Sequence, residues 1–126
     1  MRIYPGASVD AFICSHILEH IPDDMRAMRE LFRILKPGGW GILMVPICLR
    51  RSEVFEDPAK ATTEVDRWRY FGQGDHVRIY SKQGFIERVT ATGFRVDALS
   101  AENVGADAIR MCGIAKNSVL YVVQKI

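Results

Sequence analysis

Val9-Asp10-Ala11-Phe12-Ile13-Cys14, then Asp23 to Lys36, then Trp40-Gly41-Ile42-Leu43-Met44-Val45-Pro46-Ile47 are the stretches that decide the fold. The first is a short, nearly continuous apolar run after the Pro5-Gly6 turn. That is the pattern of a strand buried on both faces of a parallel sheet. The second has helical period. Met25, Met28, Leu31, Phe32 and Leu35 fall on one side, and Arg26, Arg29, Glu30 and Arg33 fall largely on the other. Asp23 and Asp24 at its start and Arg33 and Lys36 at its end complement the helix dipole. Pro37-Gly38-Gly39 stops it. The order there is helix, glycines, strand, whereas a phosphate or nucleotide loop needs strand, glycines, helix. These glycines therefore read as a plain stop and turn. The third stretch is a second apolar strand. Strand, helix and strand of this length predict a right-handed βαβ unit with the two strands as parallel neighbours.

Outward from this unit, residues 48–80 change character. They are rich in Arg, Glu and Asp, carry scattered aromatics and show no clean period. A patternless stretch of that length is usually functional or flexible. Ser81 to Thr92 predicts a helix with Ser81 as N-cap, Phe85, Ile86 and Val89 on one face, and Gly93 as its end. Phe94 to Leu99 alternates like a strand. Glu102 to Lys116 reads as irregular, with a short helix around Ala106–Met111, and residues 118–124 form a last strand. The expected strands are thus 9–14, 40–47, 94–99 and 118–124. The last two are expected to pair antiparallel.

The chain has 126 residues, enough for one domain with a core of its own. Its 48% hydrophobic and 25% charged residues are ordinary for a folded protein. A net charge of +2 is too small to imply nucleic acid or an anionic membrane as partner. No apolar run approaches the ~18–20 residues of a membrane span, and the start, Met1 to Gly6, has no hydrophobic core of a signal peptide. Cys14, Cys48 and Cys112 are odd in number and far apart. They suit neither a disulfide framework nor a C-x-x-C metal site. The expectation is reduced thiols in a cytoplasm.

His16-Ile17-Leu18-Glu19-His20 matches the H-x-x-E-H zinc-protease pattern. On a helix, His16 and His20 would share a face and Glu19 would serve as base. The context argues against this. A strand ends near Cys14 and Pro22 follows two residues after the motif, so no long helix can hold the pair. A third ligand would have to come from His76 or a distant carboxylate. No metal is expected. The charges at Arg50, Arg51, Glu53, Glu56 and Asp57 read as a solvated surface.

Ser8 to Phe12, His16-Ile17-Leu18-Glu19-His20-Ile21-Pro22-Asp23 and Arg29-Glu30-Leu31-Phe32-Arg33-Ile34-Leu35-Lys36-Pro37-Gly38-Gly39 together carry a likeness. They closely resemble the fourth strand, fourth helix and fifth strand of class I S-adenosylmethionine-dependent methyltransferases of the type 11 kind. Phe55-Glu56-Asp57-Pro58 with Phe71-Gly72-Gln73-Gly74-Asp75-His76-Val77-Arg78-Ile79-Tyr80 is similar to the segment before the fifth helix in a bacterial subset of that family. Ala91-Thr92-Gly93-Phe94-Arg95-Val96 resembles its helix-to-strand junction. The resemblance runs from about Tyr4 to the C-terminus. It implies an α/β fold: the C-terminal half of a Rossmann-like methyltransferase sheet, with parallel strands plus a terminal antiparallel strand. It makes residues 1–126 a single partial domain with an acceptor-side cap insertion at 48–80.

The family binds its cofactor mainly with the first half of the fold. A Gly-rich turn, an acidic residue on the ribose and another near the adenine do most of that work, much as in dinucleotide folds. None of these is found in this chain, so weak or absent binding of S-adenosylmethionine by the chain alone is expected. The resemblance places Cys14, Ser15 and His16 at the carboxyl end of a central strand, as cofactor neighbours. It offers His76 and His16 as catalytic residues, since methyl transfer needs an aligned acceptor and sometimes a base. His20, Asp75, Arg78 and Tyr80 are the substrate-binding candidates, Arg78 as a clamp for an acidic group with Arg67 or Arg69. Trp68, Tyr70 and Phe71 are candidates for an apolar acceptor pocket. The residues alone leave other readings open. The histidines would serve equally to hydrogen-bond nearby backbone, the Asp75–Arg78 cluster to form a salt-bridged turn, and the aromatics to pack a small core. The expected function is methylation of a small-molecule acceptor. The alternative is a non-catalytic methyltransferase-like remnant or partner subunit. The 9–14 strand lacks edge protection, which predicts a homodimer or association with the absent N-terminal half through that edge.

Overall fold

The computed structural model describes residues 3–112, 115 and 117–126, the side chain of Ile109 excepted. Met1, Arg2, Gly113, Ile114 and Lys116 lie outside the described residues, and with them part of the expected N-terminal reading and of the irregular stretch 102–116. The elements run β1 (Val9–Ser15), a single 3₁₀ turn (Leu18–His20), α1 (Asp24–Ile34), β2 (Leu35–Met44), α2 (Glu64–Phe71), α3 (Lys82–Ala91), β3 (Arg95–Leu99), α4 (Ala101–Val104), α5 (Ala106–Met111) and β4 (Leu120–Gln124). The four strands make one sheet in the order β1-β2-β4-β3. β1 and β2 are parallel, with Phe12 opposite Gly41 and Cys14 opposite Leu43. β4 runs antiparallel to both β2 and β3. The parallel pair and the antiparallel terminal pair are those expected from the sequence.

Helix α1 begins where Asp23 accepts a hydrogen bond from the Arg26 amide at 2.9 Å. In α3, Ser81 accepts from the Gly84 amide at 3.0 Å. Each cap satisfies one of the amides that a helix start leaves unpaired. Cys14, Leu43, Tyr121 and Val123 line one face of the sheet and join Met28 and Leu31 of α1 and Phe85 and Val89 of α3 in the core. Phe94 stacks edge-on against Phe12 and Phe32. The Phe12 ring fills the space where a Cβ would stand at Gly41, so only glycine lets that ring lie across β2.

Three sequence expectations change. First, β1 is buried on one face only. Cys14 is buried, but Ile13 is 72% exposed and Trp40, on the same face of the neighbouring strand, is 45% exposed. Continuous apolarity reported what the strand can bury, and cover for its second face is a tertiary property. Second, Pro37-Gly38-Gly39 is more than a stop. Helix α1 ends at Ile34, and Leu35 already pairs with Val9. Pairing then resumes at Ala11–Trp40, so Lys36–Gly39 bulge opposite Asp10. The bulge is held by Gly38 (φ 78°), whose amide donates to the Lys125 carbonyl at 2.7 Å. The Lys125 ammonium donates to the Phe32 and Leu35 carbonyls, both at 2.8 Å, and so caps the end of α1. Third, residues 48–80 contain a helix. Thr63 and Asp66 form a reciprocal capping box at the start of α2, and Gly72 (φ 77°) closes it. The excursion leaves and rejoins the sheet at one place, where the Cys48 amide donates to the Tyr80 carbonyl at 2.8 Å.

Candidate functional site

The carboxyl ends of β1 and β2 face the returning end of the excursion. In doubly wound sheets ligands bind at this end. β1 finishes at Ser15, and His16 turns the chain with φ 53°, a left-handed conformation that costs a β-carbon residue about 1 kcal/mol or more. Its amide stays tied to the sheet through the Met44 carbonyl at 2.8 Å. The turn brings His16 back over the 3₁₀ segment, with Nδ1 3.4 Å from Glu19 Oε1. Ser15 and His16 are exposed, and Cys14 is buried beneath them.

Glu19 is the centre of this arrangement. It is only 1% exposed. His20 Nε2 lies 3.8 Å from Glu19 Oε1, and on its other side His20 Nδ1 lies 3.3 Å from Asp75 Oδ2. The buried His76 ring packs edge-on against His20, with centroids 4.7 Å apart. The Val77 amide donates to the Glu19 carbonyl at 2.9 Å and locks the two segments together. A cleft of about 330 Å³ opens beside the group, lined by Glu19, His76, Arg78, Phe71, Ile47 and Cys48 among others. His16, His20, Asp75 and His76, all chosen from the sequence, thus meet at one place.

Arg78, at the cleft wall, and the buried Tyr80 belong to a second network. Arg78 is 2% exposed, and its guanidinium donates to the carbonyls of Leu18 (2.7 Å), Ile21 (2.6 Å) and Pro22 (2.8 Å) and to Glu56 (2.9 Å). The Tyr80 hydroxyl donates to Asp24 at 2.6 Å, and Arg88 binds both Asp24 oxygens at 2.9 Å and Glu56 at 2.6 Å. These donors are already engaged within the protein, and the arrangement holds the 18–22 loop in place. Burial alone would raise the Glu56 carboxyl, but hydrogen bonds from Arg88 and Arg78 outweigh it and hold the group below its ordinary range. Burial, reinforced by the hydrogen bond to Asp24, pushes the Tyr80 phenol well up. Glu56 therefore departs from the solvated surface expected of it, because its partners are Arg78, ahead of α3, and Arg88, within α3, both distant in sequence. Glu19 is marked in the sequence only by the H-x-x-E-H pattern, and no local signal marks Asp24 or Arg88. Of the aromatics, Phe71 is buried against Phe55 and borders the cleft, whereas Trp68 is 58% exposed and away from it.

Burial pushes the Cys14 thiol up to about 11, and the Glu19 charge adds to the effect. Since the thiolate is the nucleophile, Cys14 should resist iodoacetamide at pH 8 while the exposed Cys112 is modified. Peptide mass spectrometry over time checks this, and equal rates at the two residues would contradict the buried placement of Cys14.

A family model described as a methyltransferase domain matches residues 3–99. The chain belongs to the S-adenosylmethionine-dependent methyltransferase family, and its sheet is that of the class I fold. Two curated relatives, uncharacterized methyltransferases of Mycobacterium sp. strains KMS and MCS, are each 35% identical over 46 residues, covering 36% of this chain and 18% of theirs. A solved S-adenosylmethionine-dependent methyltransferase from Mesorhizobium loti aligns with TM-score 0.53 at 14% identity, over 95% of this chain and 63% of that one. A putative methyltransferase from Bacillus halodurans aligns with TM-score 0.57 at 14% identity, over 97% and 72%. The match thus spans under a fifth of the curated relatives, and the chain spans 63% of the first of these two structures. Among the described residues no helix is long and apolar enough to cross a membrane.

Proposed function

We propose that this chain is the acceptor-side portion of a methyltransferase acting on a small molecule. The observation that supports it is the meeting of His16, Glu19, His20 and His76 beside a cleft at the carboxyl end of the sheet. When bound, S-adenosylmethionine supplies an electrophilic methyl group on its sulfonium. The exposed Ser15 and the left-handed turn at His16 suit one rim of such a cofactor, and Cys14 contributes only backbone there. Among the described residues no Gly-rich turn runs from a strand into a helix, so the fit is partial and binding by this chain alone is weak. His16, on the exposed side, and His76, on the cleft side, are the groups placed to take a proton from an acceptor. His20 and Asp75 shape the acceptor's surroundings. Arg78, though it lines the cleft, and Tyr80 act chiefly by holding the 18–22 loop. The free thiols of Cys14, Cys48 and Cys112 fit a reducing cytoplasm.

Titrating the ¹⁵N-labelled chain with S-adenosylhomocysteine tests this. Amide shifts are expected at Cys14, Ser15 and His16, weak enough to need millimolar ligand, with α4 unchanged. Micromolar affinity is worth about −8 kcal/mol. Losing several hydrogen bonds to charged or buried groups, at about 1.5–3 kcal/mol each, removes most of it. No shift at millimolar ligand would favour a non-catalytic methyltransferase-like partner subunit, and a micromolar dissociation constant would refute the weak-binding part.

The open sheet face also has a consequence for assembly. Ile13 and Trp40 are exposed there, and the outer edge of β1 pairs with no strand among the described residues. In the working protein this edge and face are covered by further polypeptide, either a second copy or the half of the fold that the longer relatives carry.

A further inference from the structure

We propose that Glu19, His20 and His76 form a binding site for a divalent transition-metal ion of the zinc class, with an open coordination position facing the cleft. Each offers one ligand atom, and these atoms all lie within 4.8 Å of one another. Zinc–nitrogen and zinc–oxygen bonds are about 2.0–2.2 Å, so side-chain adjustments of about 1 Å would seat all three on one ion.

Two features point to a ligand here and not merely to a polar cluster. The first is Glu19 itself. It is 1% exposed, and its Oε2 is buried with no hydrogen-bond partner among the described residues. A buried carboxylate oxygen without a partner costs about 1–3 kcal/mol or more, and proteins rarely leave one so. A cation bound through both carboxylate oxygens would satisfy it while staying beside His20, which approaches Oε1. The second is the orientation of His20. Its Nδ1 faces both the Asp75 carboxylate and the Asp75 backbone carbonyl, at 3.3 Å each. Donation from Nδ1–H to Asp75 leaves the Nε2 lone pair directed at Glu19, 3.8 Å away. Carboxylate, histidine and metal in this order is the usual way a protein fixes the tautomer of a metal-bound imidazole.

The donor set selects the ion. Two imidazoles and one carboxylate suit zinc and its first-row neighbours, whereas calcium and magnesium prefer oxygen alone. Three protein ligands leave a position open, as in catalytic rather than structural zinc sites. Glu19 and His76 also line the cleft, so that position is accessible to a small molecule. Pro22 prevents a helix from presenting His16 and His20 together. The structure confirms that no α-helix is present there, and brings the third donor from 56 residues beyond His20. With an ion on His76, His16 at the rim remains as the proton acceptor. Metal binding by these donor atoms does not depend on methyl transfer.

Addition of Co²⁺ to the chelator-washed chain is the test. One equivalent should bind and give visible d–d absorption without a thiolate charge-transfer band, and Zn²⁺ should displace it. His20→Gln and His76→Gln should each weaken binding by more than about 100-fold. Asp75→Asn removes no ligand and alters an exposed residue, so it should fold normally and weaken binding by about 10–100-fold. Circular dichroism verifies folding of each variant. No saturable Co²⁺ binding below millimolar, thiolate bands in the spectrum, or unchanged affinity in folded Asp75→Asn together with either histidine variant would overturn the site.

Discussion

Asp24→Ala is expected to destabilise the chain by about 3–5 kcal/mol, the range seen when one partner of a buried ion pair is removed. Asp24 is 2% exposed and accepts hydrogen bonds from Tyr80 and Arg88, with the Arg78 Nε 3.7 Å away. Alanine would leave the buried Tyr80 hydroxyl without its acceptor and take a carboxylate from the buried Arg78 and the partly exposed Arg88. Domains of this kind are stable by about 5–15 kcal/mol in total, so the variant would lose a large share. Urea titration followed by circular dichroism measures it, as a fall in midpoint at unchanged slope. The Asp107–Arg110 pair supplies the contrast. It is also a short ion pair, at 3.0 Å, but its side chains are 86% and 79% exposed. Arg110→Ala should therefore change stability by less than about 1 kcal/mol. A loss below about 1 kcal/mol for Asp24→Ala would mean that the network is a consequence of the loop's position and does not hold it.

The second large effect concerns association. Sedimentation equilibrium of the 126-residue chain at low micromolar concentration should give a mass above the 14.3 kDa of one copy. An unpaired strand edge beside an apolar face is a template for another chain. Edge-to-edge pairing around a two-fold axis is the simplest closed arrangement. Replacing Ile13 and Trp40 with lysine puts two charges on the open face without touching the core face of either strand. The double variant should sediment at the mass of one copy. A wild-type chain that stays monomeric at this concentration would show that the face tolerates water. The requirement for covering polypeptide would then fail.

The order of strands and helices was written locally. Val9–Cys14 and Gly41–Val45 announce buried strands by composition, and Met25 to Leu35 announces a helix by period, because both signals depend only on which neighbours along the chain are apolar. The caps at Asp23 and Ser81 are likewise local, since a side chain three residues away satisfies the amide. The helix at Glu64 went unread: its start is a local capping box of Thr63 and Asp66, but it is short and sits in a run of charged residues. Much of the likeness to methyltransferases lies in these same local segments, which is why the family is legible in the sequence.

What tertiary structure alone decided begins with the left-handed turn at His16. It throws the histidine back onto Glu19, and no pattern in the sequence marks it. The buried state of Glu19 follows from the return of residues 76–80 onto the 18–22 loop, contacts that span more than fifty positions. The same separation explains Arg78. By residue type it is a candidate for gripping an acidic substrate, and only the three backbone carbonyls waiting at Leu18, Ile21 and Pro22 turn it into a brace. The sequence determined which polar and titratable groups are available. Their distances, exposure and partners came from long-range closure of the chain, and hydrogen bonds and charges act over a few ångströms in space whatever their separation in sequence.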